Sequence, residues 1–152
     1  MSATAGHRIA VNTAEELPGA DLGKLQPILK RAVSAALAHE AISDASISVT
    51  LLNDARISAL NEQYLEHPGP TDVISFPLFQ QGEPPVGDIY IGFDQARRQA
   101  AELAVGLDAE LARLAIHGTL HVLGYDHPED GAREGSEMWQ VQETILRQVL
   151  DA

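Results

Sequence analysis

Two histidines, His117 and His121, stand four residues apart in a stretch whose apolar residues recur at helical spacing. Side chains four residues apart leave a helix from the same side, so both imidazoles can bind one metal ion. The apolar stripe of this helix places the histidines at its edge and comprises Leu111, Leu114, Ala115, Gly118 and Val122. A helix over about 108–123 that packs on a core and borders a cleft is therefore predicted.

A third histidine follows the same helix. Gly124 can adopt the left-handed conformation that ends a helix, and the turn would bring back His127. Paired histidines also occur by chance, but three of the six histidines fall within eleven residues here. Three histidines with an open fourth position are typical of catalytic zinc sites, where the ion lowers the pKa of bound water toward about 7. We predict one zinc ion per chain, held by the catalytic residues His117, His121 and His127.

Composition narrows the alternatives. The chain has no cysteine, which excludes disulfides and thiolate metal sites. With 22 acidic and 10 basic residues its net charge is −12, which disfavours broad adhesion to nucleic acid or anionic membranes. No apolar run approaches the ~20 residues of a membrane span, and no signal peptide is recognisable. We expect a soluble cytoplasmic protein without a membrane partner.

The order of the patterns predicts one mixed α/β domain over residues 1–152, in which a small mixed sheet is layered with helices. Pro27 should delay the start of the first helix or bend it, and Gly106 and Gly124 should end the third and fourth helices. The two strands before the third helix should form a hairpin or lie side by side. Four strands are predicted, over about 8–11, 46–52, 72–76 and 88–93, and five helices, over about 22–38, 54–64, 94–104, 108–123 and 131–150.

The histidine spacing matches the metzincin protease frame H-E-x-x-H-x-x-G-x-x-H, except that Gly118 replaces the glutamate. That glutamate carries a proton to the leaving amine in peptide hydrolysis, so its absence argues against a peptidase. A phosphodiester needs it less, because a metal can neutralise the transition-state charge and a ribose 2′-OH is an internal nucleophile. Gly118 also suggests a close approach to the helix backbone.

The motif HGTLHVLGYDH resembles the H-G-x-L-H-L-x-G-Y-D-H signature of the YbeY family. LNEQYLEHPGPTDVISFPL and VGDIYIGFDQA resemble further segments of that family in the right order. The resemblance implies a zinc-dependent endoribonuclease that acts on single-stranded RNA in ribosomal RNA maturation and ribosome quality control. It also implies ribosomal RNA as substrate and ribosomal proteins or assembly GTPases as partners.

One departure from the family concerns substrate binding. The arginine of the family's Tyr-Arg pair, which the resemblance assigns to substrate phosphate, is Leu65 here. Arg56, Arg97 and Arg98 are the candidate replacements. Arg113 would join them in a basic surface, and Asp72 and Asp88 are candidates to line the cleft.

Two further functions remain open beside the nuclease. In one, the protein is a ribosome-assembly factor whose metal is mainly structural and whose function is to bind RNA or protein. In the other, less favoured because of Gly118, it is a zinc peptidase. Folding that persists without metal, together with metal-dependent cleavage, would favour the nuclease.

Overall fold

The computed structural model describes residues 6–66, 68–125 and 137–151. Over these residues it contains four strands and five helices, which confirms the predicted mixed α/β class. In chain order the elements are β1 (Gly6–Thr13), α1 (Leu22–His39), β2 (Asp44–Leu52), α2 (Asp54–Leu65), β3 (Val73–Pro77), β4 (Val86–Gly92), α3 (Phe93–Leu103), α4 (Leu107–Val122) and α5 (Glu137–Asp151).

The strands form one mixed sheet in the order β1-β2-β4-β3. β1 pairs with β2 and β2 with β4 in parallel, whereas β3 runs antiparallel to β4. β3 and β4 are thus antiparallel neighbours, in agreement with the prediction that the two strands before the third helix form a hairpin or lie side by side. Alternation fixes the faces, because Ile47, Val49 and Leu51 are buried while the residues between them are half-buried.

Helices cover the two faces of the sheet unequally. The main core lies between one face and the helices α1 and α4, with α5 packed on both helices, and it includes Leu29, Leu37, Ile89 and Ile116. On the other face, α2 packs over a smaller cluster formed by Leu52, Ile57 and Ile74. α4, which carries His117 and His121, therefore packs against the larger core.

The ends of several helices differ from the predictions. α1 begins at Leu22, where the Asp21 side chain accepts from the Lys24 N–H, so the predicted delay at Pro27 is wrong. The capped first turn and buried Leu25 and Leu29 stabilise the helix around the one missing donor. Gly106 does not end α3. Ala104 takes the left-handed conformation there, with φ 55°, and Gly106 is the N-cap of α4.

α4 is more central than its apolar stripe suggests. Helices α1, α3 and α5 and strands β3 and β4 all contact it, and most of its residues are buried. Even His117 is only 5% exposed. None of the helices in the described part of the chain is long and apolar enough to cross a bilayer.

Candidate metal centre

His117 and His121 lie in the last two turns of α4, with ring centroids 4.8 Å apart and ring planes at 78°. The i, i+4 spacing therefore brings the imidazoles together as predicted. His121 is half-buried, so the pair extends from the core toward the surface. His127 lies outside the described residues, and its place in the site stays a prediction. Within residues 6–66, 68–125 and 137–151, no three or more His, Cys, Asp or Glu residues form a metal-binding group.

Gly118, between the histidines, marks a close contact between α4 and the sheet. A Cβ at this position would lie 2.7 Å from Ile89 Cγ2 and 3.0 Å from Ser75 Oγ. Both distances are too short for ordinary packing, so a side chain would push α4 away from β3 and β4. The predicted close approach is confirmed, and the partner is the protein's own sheet.

Gly124 ends the helix region after the histidines, as predicted. Its φ is +108°, in the range that glycine adopts most readily. The Tyr125 N–H donates to Leu120 O and the Gly124 N–H to His121 O, both at 3.0 Å, which is the hydrogen-bond pattern of a Schellman motif.

A buried hydrogen bond fixes the His117 ring from behind. His117 Nδ1 lies 2.6 Å from Gln142 Oε1, and Gln142 on α5 is only 2% exposed. Gln142 Nε2 donates to Glu143 Oε2 at 3.0 Å. The candidate ligand is therefore anchored to a neighbouring helix.

An ion-pair cluster continues from Glu143. Arg113 donates through Nε and Nη2 to the two Glu143 oxygens, at 2.9 and 3.1 Å, and through Nη1 to Glu110. Glu110, 2% exposed, also accepts from Gln99 Nε2 at 2.9 Å. Burial lowers the pKa of Arg113, but its hydrogen bond to Glu143 and the charges of Glu143 and Glu110 outweigh this and raise it. The cluster is therefore a charged, hydrogen-bonded structure.

A cavity of about 420 Å³ opens beside these groups. Its described walls combine apolar side chains with polar groups of the cluster, and Trp139 and Asp72 border it together with His117. The described lining comprises Asp72, Gln99, Leu103, Val105, Glu110, Arg113, Leu114, His117, Trp139 and Gln142. Such a mixture of apolar walls and a few polar groups is typical of ligand sites.

The three candidate phosphate-binding arginines do not border this cavity. Arg98 makes a bidentate ion pair with Asp54 at 2.9 Å, and Arg97 donates to Pro18 O at 3.0 Å while lying over the Phe93 ring. Arg56 is 61% exposed, and its Nε lies 3.7 Å from a Glu15 oxygen. Their contact with substrate stays a prediction.

Two predictions about charged residues near the site are wrong. Arg113 does not join a basic surface, because its side chain is only 18% exposed and is paired with Glu110 and Glu143. Asp88 does not border the cavity but accepts from Ser48 Oγ at 2.7 Å. Asp88 alternates with Ile89, which packs under α4, so its side chain lies on the other face of the sheet.

Comparison with known proteins decides the family. The family model described as Endoribonuclease YbeY matches residues 11–150. The chain belongs to the YbeY family. An Endoribonuclease YbeY of Desulfitobacterium hafniense is 37% identical over 146 residues, covering 89% of this chain and 92% of the relative. One from Moorella thermoacetica is 43% identical over 135 residues, covering 81% and 85%.

A solved structure agrees with this assignment. The solution structure of a Thermotoga maritima protein matches with a TM-score of 0.64 and 30% identity, covering 95% of this chain and 89% of that one. The YbeY resemblance and the fold predicted from the sequence motifs are therefore confirmed.

The residues present fit a bound zinc ion on the chemistry of their donors. Imidazole nitrogen is a usual zinc ligand, and His117 has its second ring nitrogen engaged by a carbonyl oxygen, as ligating histidines commonly do. Gln99, Gln142 and Glu143 were not predicted to belong to the site, and Arg113 was predicted to lie on a basic surface. The i, i+3 spacing of Glu110 and Arg113 could have indicated their ion pair. No pattern in the sequence indicated the contact between α4 and α5.

Proposed function

We propose that this member of the YbeY family is a zinc-dependent endoribonuclease that cleaves single-stranded RNA during ribosomal RNA maturation and ribosome quality control. The observation that carries the proposal is the close pair of imidazoles on α4, in a chain whose relatives are named endoribonucleases. The proposal includes a single domain over residues 1–152, a cytoplasmic location, and ribosomal proteins or assembly GTPases as partners.

His117, His121 and His127 would hold the zinc ion, one per chain. A bound zinc ion supplies a Lewis acid that withdraws charge from a phosphate oxygen and acidifies water. His117 is buried and anchored by Gln142, so it would bind the ion with a ring already fixed in place. His121 is half-buried and would bind the ion nearer the surface.

The chain's own cations would bind the RNA backbone. Arg56 is the most available of the three candidates, because its side chain is 61% exposed and its ion pair with Glu15 is long. Arg97 and Arg98 would have to exchange Pro18 and Asp54 for phosphate. The chain as a whole carries an excess of acidic residues, so we expect weak RNA binding by the isolated protein that weakens further with salt.

The test is cleavage of a labelled single-stranded RNA by the full chain. Wild-type protein and His121→Ala are purified in parallel and assayed with chelator and with zinc restored. We expect cleavage by the zinc-loaded wild type, none with chelator, and none by His121→Ala at any zinc concentration. Equal cleavage by the two proteins would reveal a contaminating nuclease. No cleavage by a zinc-loaded wild type would overturn the nuclease and favour an assembly factor.

Leu65 offers a second test of how RNA is bound. It ends α2 and is 46% exposed, so an arginine fits there without burying a charge. Leu65→Arg restores the residue of the family pattern and should increase cleavage. Leu78→Arg, at a position 55% exposed just beyond β3, adds the same charge elsewhere. An equal gain in both variants would show that net charge, rather than a contact at residue 65, limits RNA binding.

A further inference from the structure

The Nδ1 atom of His117 faces the side-chain amide of Gln142. The neighbours of that amide show whether its oxygen or its nitrogen lies against the imidazole. The side chain of Gln142 ends in a carbonyl oxygen and an amide nitrogen of similar size, so either atom could point at the imidazole. The choice matters, because a carbonyl oxygen requires hydrogen on Nδ1, whereas an amide nitrogen requires a lone pair there.

Glu143 decides between these two orientations. Its Oε2 lies 3.0 Å from the Gln142 amide nitrogen. Both Glu143 oxygens accept from Arg113, so the group of Gln142 that faces Oε2 must be the donor. The reverse orientation would place two acceptors against each other at this distance.

Arg113 fixes the position of Glu143 and the role of its oxygens as acceptors. Its guanidinium binds both Glu143 oxygens and also Glu110, which is nearly fully buried. Arginine has no accessible neutral form and only donates. Donors and acceptors therefore alternate without ambiguity from Arg113 through Glu143 and Gln142 to the imidazole.

We infer that Gln142 is a positioning residue that holds His117 in the tautomer with hydrogen on Nδ1. The Arg113–Glu143 ion pair fixes which end of the Gln142 amide faces the imidazole. In the neutral ring the lone pair is then on Nε2, which would be the nitrogen left to bind zinc. The inference rests on the proposed metal site for its use, but the tautomer itself is a property of the metal-free chain.

The experiment measures tautomer and metal affinity separately. Long-range ¹H–¹⁵N correlation spectra of the chelator-treated full chain, at a pH where imidazole is neutral, report which nitrogen of His117 carries hydrogen. His117→Gln identifies the resonances. Zinc affinity is measured by competition with a chromophoric chelator, and cobalt spectra report the coordination of the substituted ion.

Three substitutions test the hydrogen bonds that connect Arg113, Glu143 and Gln142 with His117. Gln142→Met removes the acceptor while keeping the length of the side chain, so we expect Nδ1–H to lose its dominance and zinc affinity to fall by about 10–100-fold. Gln142→Glu keeps an acceptor toward Nδ1 and should preserve the Nδ1–H tautomer, at a cost in stability because its second oxygen faces Glu143. Glu143→Gln keeps the shape but lets residue 143 accept or donate, so we expect mixed tautomers. Gln148→Met, at an exposed glutamine on the same helix, is the matched control and should match the wild type.

The outcomes separate this inference from the proposed function. An unchanged His117 tautomer in folded Gln142→Met would overturn the inference. If that variant fails to fold, Glu143→Gln decides, and an undisturbed tautomer there would overturn the role of the ion pair. A wild type that shows the Nδ1–H tautomer but binds no zinc would overturn the metal site of the proposed function and leave the tautomer assignment standing.

Discussion

Single positions on α4 have opposite structural requirements. At Gly118 the helix needs the absence of a side chain, because the sheet lies too close for a Cβ. At Glu110 and Arg113 it needs charges, although these side chains are mostly buried. Both demands are local in space but come from residues distant in sequence, on β3, β4 and α5.

Gly118→Ala should lower the free energy of unfolding. The added methyl group would meet Ile89 and Ser75, and overpacking of this kind costs about 1–3 kcal/mol, partly offset by the roughly 1 kcal/mol that alanine contributes to a helix interior. Urea denaturation measures the difference. Gly23→Ala in α1 is the control, since the nearest atom to its Cβ is 3.4 Å away. Stabilisation of both variants alike would contradict a close contact at Gly118.

Arg113→Met should be strongly destabilising. It leaves Glu110 buried without a cation, and breaking a buried pair in this way costs about 3–5 kcal/mol. Arg98→Met is the matched control, because the Arg98–Asp54 pair is exposed, and such pairs contribute only about 0–1 kcal/mol. Thermal or urea unfolding compares the two. Equal losses would show that burial of the Glu110 cluster is not what determines its contribution.

At the scale of elements, helix ends and helix contacts position the site. The Schellman motif at Gly124 ends the region of α4 that bears the histidines, and α5 supplies Gln142 and Glu143 across the interface with α4. α2 is held differently. It covers the other sheet face with few buried residues, so its capped start should contribute a large share of its stability.

Asn53→Ala should destabilise the protein by about 1 kcal/mol, because the Asn53 side chain accepts from the Arg56 N–H at 2.9 Å at the start of α2. Equilibrium urea unfolding measures this loss. Asn53→Ser retains a capping oxygen and should recover most of it. If serine and alanine were equally destabilising, capping would not be the contribution of Asn53.

For the whole molecule, most core residues lie on elements other than α4. The main core lies between the sheet and the helices α1 and α4, with α5 packed on both helices, and the two described histidines lie in the last two turns of α4. Folding should therefore not depend on zinc, which distinguishes a catalytic ion from a structural one.

Removal of zinc should leave the far-ultraviolet circular dichroism of the chain unchanged and lower its thermal midpoint. Zinc at 100 times its dissociation constant stabilises a protein by about 2.7 kcal/mol, which for a chain of this size is roughly 5–10 °C. His121→Ala should show no zinc-dependent shift. Complete unfolding of the wild type with chelator would instead indicate a structural metal.

The sequence alone determined the class of the fold, the family, the pairing of His117 with His121 and, where the structure describes them, the elements to within a few residues; the predicted start of the fifth helix at 131 lies outside the described residues. The family follows from the resemblance of the motifs, whereas the elements and the histidine pair follow from periodicity and i, i+4 spacing, which act over short distances along the chain. Tertiary structure alone decided the partners of those residues. Gln142 lies 25 positions from His117 and Glu143 lies 30 from Arg113, so no local pattern relates them. Burial of Arg113 was decided in the same way, because an arginine on a helix has the same local signature whether solvent or another helix faces it.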